Sequence, residues 1–415
     1  MTQNHLENKK NKTMFLTGML GFALFTLSKG LAYVAVLVLL ARTDITSAIS
    51  SSIVFVLLEK LGRLVGSSLT FRFNHLLSYH HQATLSYLIH IGSLAALIFS
   101  INNIVSVSIL SLLLGLSDSI FRIIQRSYSH NLWIDETRVS FGTVTIISWG
   151  IGISAGPILC VLLNATTFAI ALLLSLVGFI LFYINLKSFN QNNISEIANS
   201  PEKGENINDH KVKNISKIPY KEFLSFKGYV LMTGSFIVGL VVILLNSSLV
   251  SLSQKSFGLT ESQLSIVYVL LIIGGIVNGV IFKKKYFSSI FERHYGWVLI
   301  TTMALISLAI VYFSTSKTLL VFFLIFTGMF NGISIDQLMT YVRTNFTEEI
   351  IANVHSINEF FTVIAGLLSY LVLKVSNNNY LILEIIFVIF VIYIISIFYY
   401  QNSFRAKEKR QKLAY

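Results

Sequence analysis

Residues 66–72 read GSSLTFR and residues 279–285 read GVIFKKK. Sliding the sequence against itself by 213 residues lays one stretch over the other, with Arg72 on Lys285. Without a gap, the same shift lays Gly115-Leu-Ser-Asp118 on Gly328-Met-Phe-Asn331, and Asp135-Glu136 on Glu348-Glu349. The chain therefore reads as two copies of one unit. What surrounds these stretches fixes the class: 54% of the 415 residues are apolar and 12% are charged, with a mean hydropathy of +0.72. Soluble domains carry about 25% charged residues, so this chain has too few charges to cover a water-facing surface, and a membrane protein is expected.

Crossing about 30 Å of hydrocarbon takes about 20 apolar helical residues. On that criterion, spans are expected near 14–41, 46–70, 82–101, 104–128, 138–163 and 165–186, and again near 229–252, 261–282, 296–315, 318–342, 349–373 and 380–401. Two six-helix bundles result, residues 1–187 and 228–415, the second ending in a short basic tail. The polar stretch 188–227 between them holds Pro201 and Pro219 and reads as a linker outside the bilayer, with a short amphipathic piece near Tyr220 to Phe226. Because an even number of helices separates the copies, their topology is preserved and a pseudo-twofold axis along the membrane normal is expected, with a central cavity between the halves.

Sorting the basic residues by alternate loops puts Lys9, Lys10, Lys12, Arg72, Arg126, Arg138, Lys283 to Lys285, Arg293, Arg343, the linker lysines and Arg405 to Lys412 on one side, against isolated Arg42, Lys255, Lys317 and Lys374. The positive-inside bias then places both termini and the linker in the cytoplasm, in a multi-pass protein of the cell membrane. The basic start is not read as a secretory signal, since the apolar run behind it exceeds an h-region and no Ala-x-Ala site closes it. The net charge of +12 falls in loops between apolar runs, which favours the lipid bilayer over nucleic acid as partner. A single cysteine, Cys160, excludes a disulfide framework, and nine histidines with no His-x-x-x-His or similar ligand pairing argue against a metal site. No Gly-x-x-x-x-Gly-Lys-Ser/Thr loop is present, so ATP is not the direct energy source; no cofactor is expected.

The arrangement resembles the major facilitator superfamily along essentially the whole chain. The family's loop motif Gly-x-x-x-Asp-Arg-x-Gly-Arg-Arg is similar to the worn Gly66 to Leu76 stretch, which keeps Gly66 and Arg72 but has Thr70 or Phe71 at the aspartate position. Gly152-x-x-x-Gly156-Pro157 is similar to the Gly-x-x-x-Gly-Pro signature of the family's exporters, and Phe121 to Arg126 resembles the fourth-helix end of its macrolide-efflux-like branch. Ser111 stands where the resemblance leads one to expect an arginine linked to proton coupling. The implied fold is all-α with twelve transmembrane helices, and the implied activity is secondary active transport by alternating access. Gly66, Arg72, Gly152, Gly156 and Pro157 become candidates for the gating or conformational motif.

Ionisable groups inside apolar runs need a reason to be there, since each costs about 2.5–3.5 kcal/mol at mid-bilayer. Lys29 falls near the middle of the first span and is expected to face a cavity or an ion partner. Glu59, Lys60 and Arg63 interrupt the second span; Glu59 and Arg63 share a helix face one turn apart, and Glu59 is also a candidate partner for Lys29. Asp118, Arg122 and Arg126 form a stripe in the fourth span, readable either as a static ladder or as a proton-handling carboxylate with its guanidinium. Asp336, Glu359 and Glu384 lie in later spans; the first two are candidates for substrate or proton handling, and Glu384 sits close to the outer boundary. Trp149 is a candidate cavity wall. Gly150, Gly152, Gly156 and Pro157 are expected to break the fifth span, and Gly274, Gly275 and Gly279 to give the eighth a smooth packing face.

The expected function is proton-coupled export of a small organic solute, drug-like or siderophore-like, by a monomer. The alternatives are an uptake symporter and a transporter-like sensor that no longer moves substrate. An intramembrane enzyme would need clustered His, Asp or Ser at one membrane face, and none is seen in the sequence.

Overall fold

A lipid-embedded backbone must satisfy its own hydrogen bonds, which leaves an apolar run little choice but helix. The computed structural model describes residues 2–41, 45–73, 77–100, 103–131, 141–163, 166–199, 220–255, 261–281, 306, 316–347, 350–375, 388, 391, 394 and 395, and every regular element among them is helical. The first unit contains α1 (Thr2–Ala41), α2 (Ile45–Phe73), α3 (Tyr79–Ser100), α4 (Ile104–Asn131), α5 (Phe141–Leu163) and α6 (Thr167–Asn199). After these come the single-turn α7 (Tyr220–Phe223), α8 (Phe226–Lys255), α9 (Glu261–Ile281), α10 (Lys317–Asn345) and α11 (Ile351–Val375). The expected ninth and twelfth spans fall outside the described residues.

Five of these helices are long and apolar enough to cross a membrane among the described residues: Leu16–Val38, His80–Ser100, Val105–Ser127, Thr167–Ile184 and Ile351–Leu368. Where α4 begins, Asn103 Oδ1 accepts from the backbone N–H groups of Val105 at 3.0 Å and Ser106 at 3.2 Å, the side-chain cap that orphan helix donors need.

Two expectations change. Helix α5 runs through Gly150, Gly152, Gly156 and Pro157 without interruption, because proline withholds a single donor while the rest of the ladder stays intact where no water competes. Helix α6 continues to Asn199, so the first part of the polar stretch after residue 187 extends a helix rather than starting a loop. Residues 200–219 lie outside the described residues.

Contacts group the chain into two units, one comprising Met1–Arg138, Ser148–Pro219 and Glu348–Ser356, the other Val139–Ile147, Tyr220–Thr347 and Ile357–Tyr415. In the first unit α2 packs on α4, α1 on α6, and α3 on both α4 and α6. Aromatic rings fill its centre: Phe25 lies 4.1 Å from Phe121 and 5.0 Å from Tyr87, and Phe121 lies 5.2 Å from Phe182, centroid to centroid. In the second unit α9 packs on α10.

Glycines set the helix spacing the same way in both units. A Cβ on Gly62 would meet the Leu112 carbonyl oxygen at 2.0 Å, and one on Gly115 would meet that of Glu59 at 1.9 Å. Likewise, a Cβ on Gly274 would meet the Ile325 oxygen at 2.0 Å, and one on Gly328 that of Leu271 at 2.2 Å. A further pair recurs, with Gly30 against the Trp149 oxygen at 2.8 Å and Gly239 against the Thr362 oxygen at 2.5 Å. These contacts correct the gapless register. Gly115 still matches Gly328, but Gly62 matches Gly274 and Gly66 matches Asn278, one residue short of the sequence slide, because backbone contact rather than residue likeness decides which helical positions correspond.

Gly115→Ala should therefore destabilise the protein by about 1–3 kcal/mol through overpacking. Gly92→Ala, whose Cβ meets nothing within 4 Å, should be neutral or stabilising by up to about 1 kcal/mol. Thermal unfolding of the two variants in detergent checks the contrast.

Candidate functional site

The glycine contacts bring charged positions of three helices together. Gly62, Gly66 and Gly115 let α2 and α4 touch backbone to backbone, so Glu59 and Arg63 of α2 reach Asp118 of α4. Gly30 and Gly152 do the same for α1 and α5: a Cβ on Gly152 would meet the Leu27 oxygen at 2.4 Å. That approach sets Lys29 beside Trp149. Gly156 continues the seam against Val34.

Lys29, Glu59 and Asp118 are 5%, 2% and 2% exposed. The Lys29 ammonium donates to Asp118 Oδ2 and lies 3.4 Å from Glu59 Oε1, so one cation bridges two carboxylates. Glu59 Oε2 is 2.7 Å from Lys60 Nζ. Asp118 also receives Arg122 Nε at 3.0 Å and faces Arg63 Nε at 3.5 Å. Lys29 Nζ stands 5.3 Å from the centre of the Trp149 ring, within cation–π range. Two carboxylates thus meet four cations, and the cluster carries a formal charge of +2 among the described residues. Arg122 and Lys60 are its least buried members, their side chains 19% and 12% exposed.

The sequence-derived candidates sort clearly. Lys29, Glu59, Asp118, Arg122 and Trp149 come together in this one cluster. Gly66 lies at the α2–α4 seam, its Cβ position 2.8 Å from the Leu116 oxygen, and Gly152 and Gly156 lie at the α1–α5 seam. Arg72 is exposed at the end of α2, its guanidinium 5.7 Å from the Phe73 ring. Glu359 is fully buried in α11, in the portion that groups with the second unit. Asp336 belongs to α10 and Pro157 to α5, but their side chains lie outside the described residues, as does Glu384 altogether.

Reading charge alone overlooked His90. It sits in the middle of α3 with no exposed surface, its ring 4.4 Å from Phe25 and its Nδ1 3.5 Å from Ser117 Oγ, one residue before Asp118. The signal available was a histidine inside the apolar run Leu88 to Ala95.

The cluster belongs to one copy of the repeat. By the glycine contacts, Glu59 corresponds to Leu271, Asp118 to Asn331, Trp149 to Thr362 and Lys29 to Val238. None of these counterparts is ionisable, so the duplicated scaffold carries an unduplicated charge site.

The model of the Major Facilitator Superfamily matches residues 82–370 of this chain. A search of the curated proteins finds no match. Among solved structures, that of the human organic anion transporter MFSD10 (TETRAN) superposes with a TM-score of 0.65 at 14% identity, over 92% of this chain and 99% of the other. A bacterial homologue of the iron transporter ferroportin, in an outward-facing state, gives 0.68 at 14% identity, over 94% and 98%. At that identity the likeness extends to the fold alone.

Removing one partner of a buried ion pair typically costs about 3–5 kcal/mol, much of it from the charge left behind. Lys29→Met should fall in that range by thermal unfolding, and Lys29→Met combined with Asp118→Leu should cost less than the sum of the two single changes. Additivity of the two would mean that the pair is not coupled.

Proposed function

Since the chain belongs to the Major Facilitator Superfamily and is a secondary transporter of a small molecule, we propose that it exports a small organic anion across the cell membrane, with protons as the coupling ion and with both termini cytoplasmic. The observation that carries this reading is the buried cluster in which four cations surround two carboxylates. Negative charge on a ligand suits such a cluster better than a metal cation would. Lys29 and Arg122 are the groups that would receive a carboxylate of the substrate, and the Trp149 ring offers a flat apolar wall beside Lys29. An acidic chelator of the siderophore kind and an acidic drug both meet this description.

Direction rests on two further considerations. Gly152, Gly156 and Pro157 resemble the exporters' signature, and Phe121 to Arg126 the macrolide-efflux-like branch. Physically, a potential that is negative inside favours anion exit by about 2.3 kcal/mol per charge per 100 mV. In the export cycle, Lys29 and Arg122 exchange their intramolecular carboxylates for the substrate's on one side of the membrane and take them back on the other. The two six-helix bundles, residues 1–187 and 228–415 joined by the linker 188–227, are the halves that alternating access would move, and Glu359 and Asp336 are the candidates for proton handling within the second.

One observation favours uptake by symport as the second reading. Lys29 already bridges two carboxylates, so an anion that draws it away leaves Asp118 able to accept a proton, and proton and substrate then travel together. Reconstituted vesicles distinguish the two. Export by exchange predicts that substrate moves against the proton gradient, and symport predicts movement along it.

Under either reading, Asp118→Asn and Glu359→Gln should each slow pH-driven flux about tenfold, the change that about 1.4 kcal/mol produces in a rate, while both proteins stay monodisperse. Unchanged flux in both variants would remove them from coupling. Flux in the unaltered protein that ignores pH but follows the membrane potential would leave an anion transporter without proton coupling.

A further inference from the structure

Asp118 holds the Arg122 guanidinium by one edge. Arg122 Nε donates to Asp118 Oδ1 at 3.0 Å, which is the side chain's only hydrogen bond among the described residues. A guanidinium carries five N–H groups, so the four on its two terminal amines remain, and together they form a flat edge matched to the two oxygens of a carboxylate. The neighbouring cations are committed differently. Lys29 donates to Asp118 Oδ2 and stands 3.4 Å from Glu59 Oε1, and Lys60 Nζ is 2.7 Å from Glu59 Oε2. Arg63 faces Asp118 Oδ2 at 3.5 Å with 7% of its side chain exposed. To receive an anion, Lys29 has to leave a carboxylate; Arg122 does not.

Exposure points the same way. From Ser117 to Ser127 every residue of α4 is buried except Arg122 and Arg126. A stripe turned to lipid carries apolar side chains, as Leu173, Val177, Ile180 and Ile184 do on α6, because charge facing hydrocarbon is costly. Nor does Arg122 snorkel to the interface: its bond to Asp118, one turn deeper in the span Val105–Ser127, draws it away from the near end. The side of α4 that opens at Arg122 therefore opens to water. An anion arriving there meets Arg122, the most exposed member of the cluster, before it meets Lys29. Arg126, one turn further along the same stripe, adds a second positive charge to the approach.

We propose that Arg122 is the capture site of the transporter and its specificity-determining residue. The edge formed by its terminal amines takes the substrate's carboxylate end-on, through two parallel N–H···O bonds, while Asp118 still holds the Nε edge and before any exchange of carboxylates begins. The ligand class is a planar anion with two oxygens; a monatomic anion of equal charge offers no second acceptor to span the edge. This inference rests on the transport reading for its purpose, and its test separates the two.

p-Hydroxyphenylglyoxal forms an adduct across the terminal nitrogens of an arginine whose end is open to water. In purified protein, peptide mapping by mass spectrometry should find that adduct on Arg122 and also on Arg72, which is exposed at the end of α2. Benzoate should slow the reaction at Arg122 several-fold and leave Arg72 unchanged, whereas neither benzyl alcohol nor chloride at equal ionic strength should protect. Arg122→Lys keeps the charge and loses the edge, so it should abolish the rise in unfolding temperature that benzoate gives the parent. An unlabelled Arg122 beside a labelled Arg72, equal labelling with and without benzoate, or protection by chloride as strong as by benzoate overturns the proposal. So does benzoate stabilisation that persists in Arg122→Lys. Should that variant not fold, the protection measurement in the unaltered chain decides. Protection at Arg122 without benzoate movement in reconstituted vesicles counts against the transport reading and leaves the capture site standing. Benzoate movement unaffected by Arg122→Lys counts against the capture site alone.

Discussion

Charge inside hydrocarbon is tolerated only next to opposite charge or to water, and the first unit is organised around that constraint. Lys29 comes from α1, Glu59 from α2 and Asp118 from α4, so three helices must hold one register for the ammonium to meet both carboxylates. An axial slip of α1 by one residue, about 1.5 Å, would carry Lys29 away from both. The ion cluster therefore fixes helix register in a setting where apolar side chains, as comfortable in lipid as against each other, cannot do so.

The close approach that such short contacts demand is provided by glycine. Gly62, Gly66 and Gly115 bring α2 and α4 together, and Gly30 and Gly152 bring α1 and α5 together. In the second unit Gly274, Gly328 and Gly239 make equivalent contacts with neutral residues at the matching positions. Duplication thus supplied a packing scheme, and ionisable residues occupy the cluster positions in one copy of it. This separation gives the same helices two roles: small residues set the spacing, and a few charged residues, where they occur, make the chemistry.

Among the described residues the cluster joins four cations and two carboxylates drawn from three helices. A balanced ladder would only orient helices, as Asp118 with Arg122 would have done alone. Here Lys29 joins carboxylates from two further helices, and the least buried cations are Arg122 and Lys60, their side chains 19% and 12% exposed.

Much of this could be read from residues alone. Apolar run lengths determined helix type and approximate bounds, because lipid permits no other backbone solution, and the ten expected spans that fall on described residues agree with the helices there to within a few residues except at α1, which begins at Thr2, and α6, which runs on to Asn199. Lys29, Glu59 and Asp118 stood out because ions in apolar runs are costly, whatever their neighbours. Tertiary structure alone decided that these three meet, that Glu359 lies in a different unit, and that α5 crosses Pro157 unbroken. It decided the one-residue shift in the repeat as well, since which positions correspond depends on backbone contact between helices distant in sequence. His90 escaped notice for a related reason: a neutral side chain leaves no charge signature, and only the tertiary structure places it beside Ser117 and Phe25.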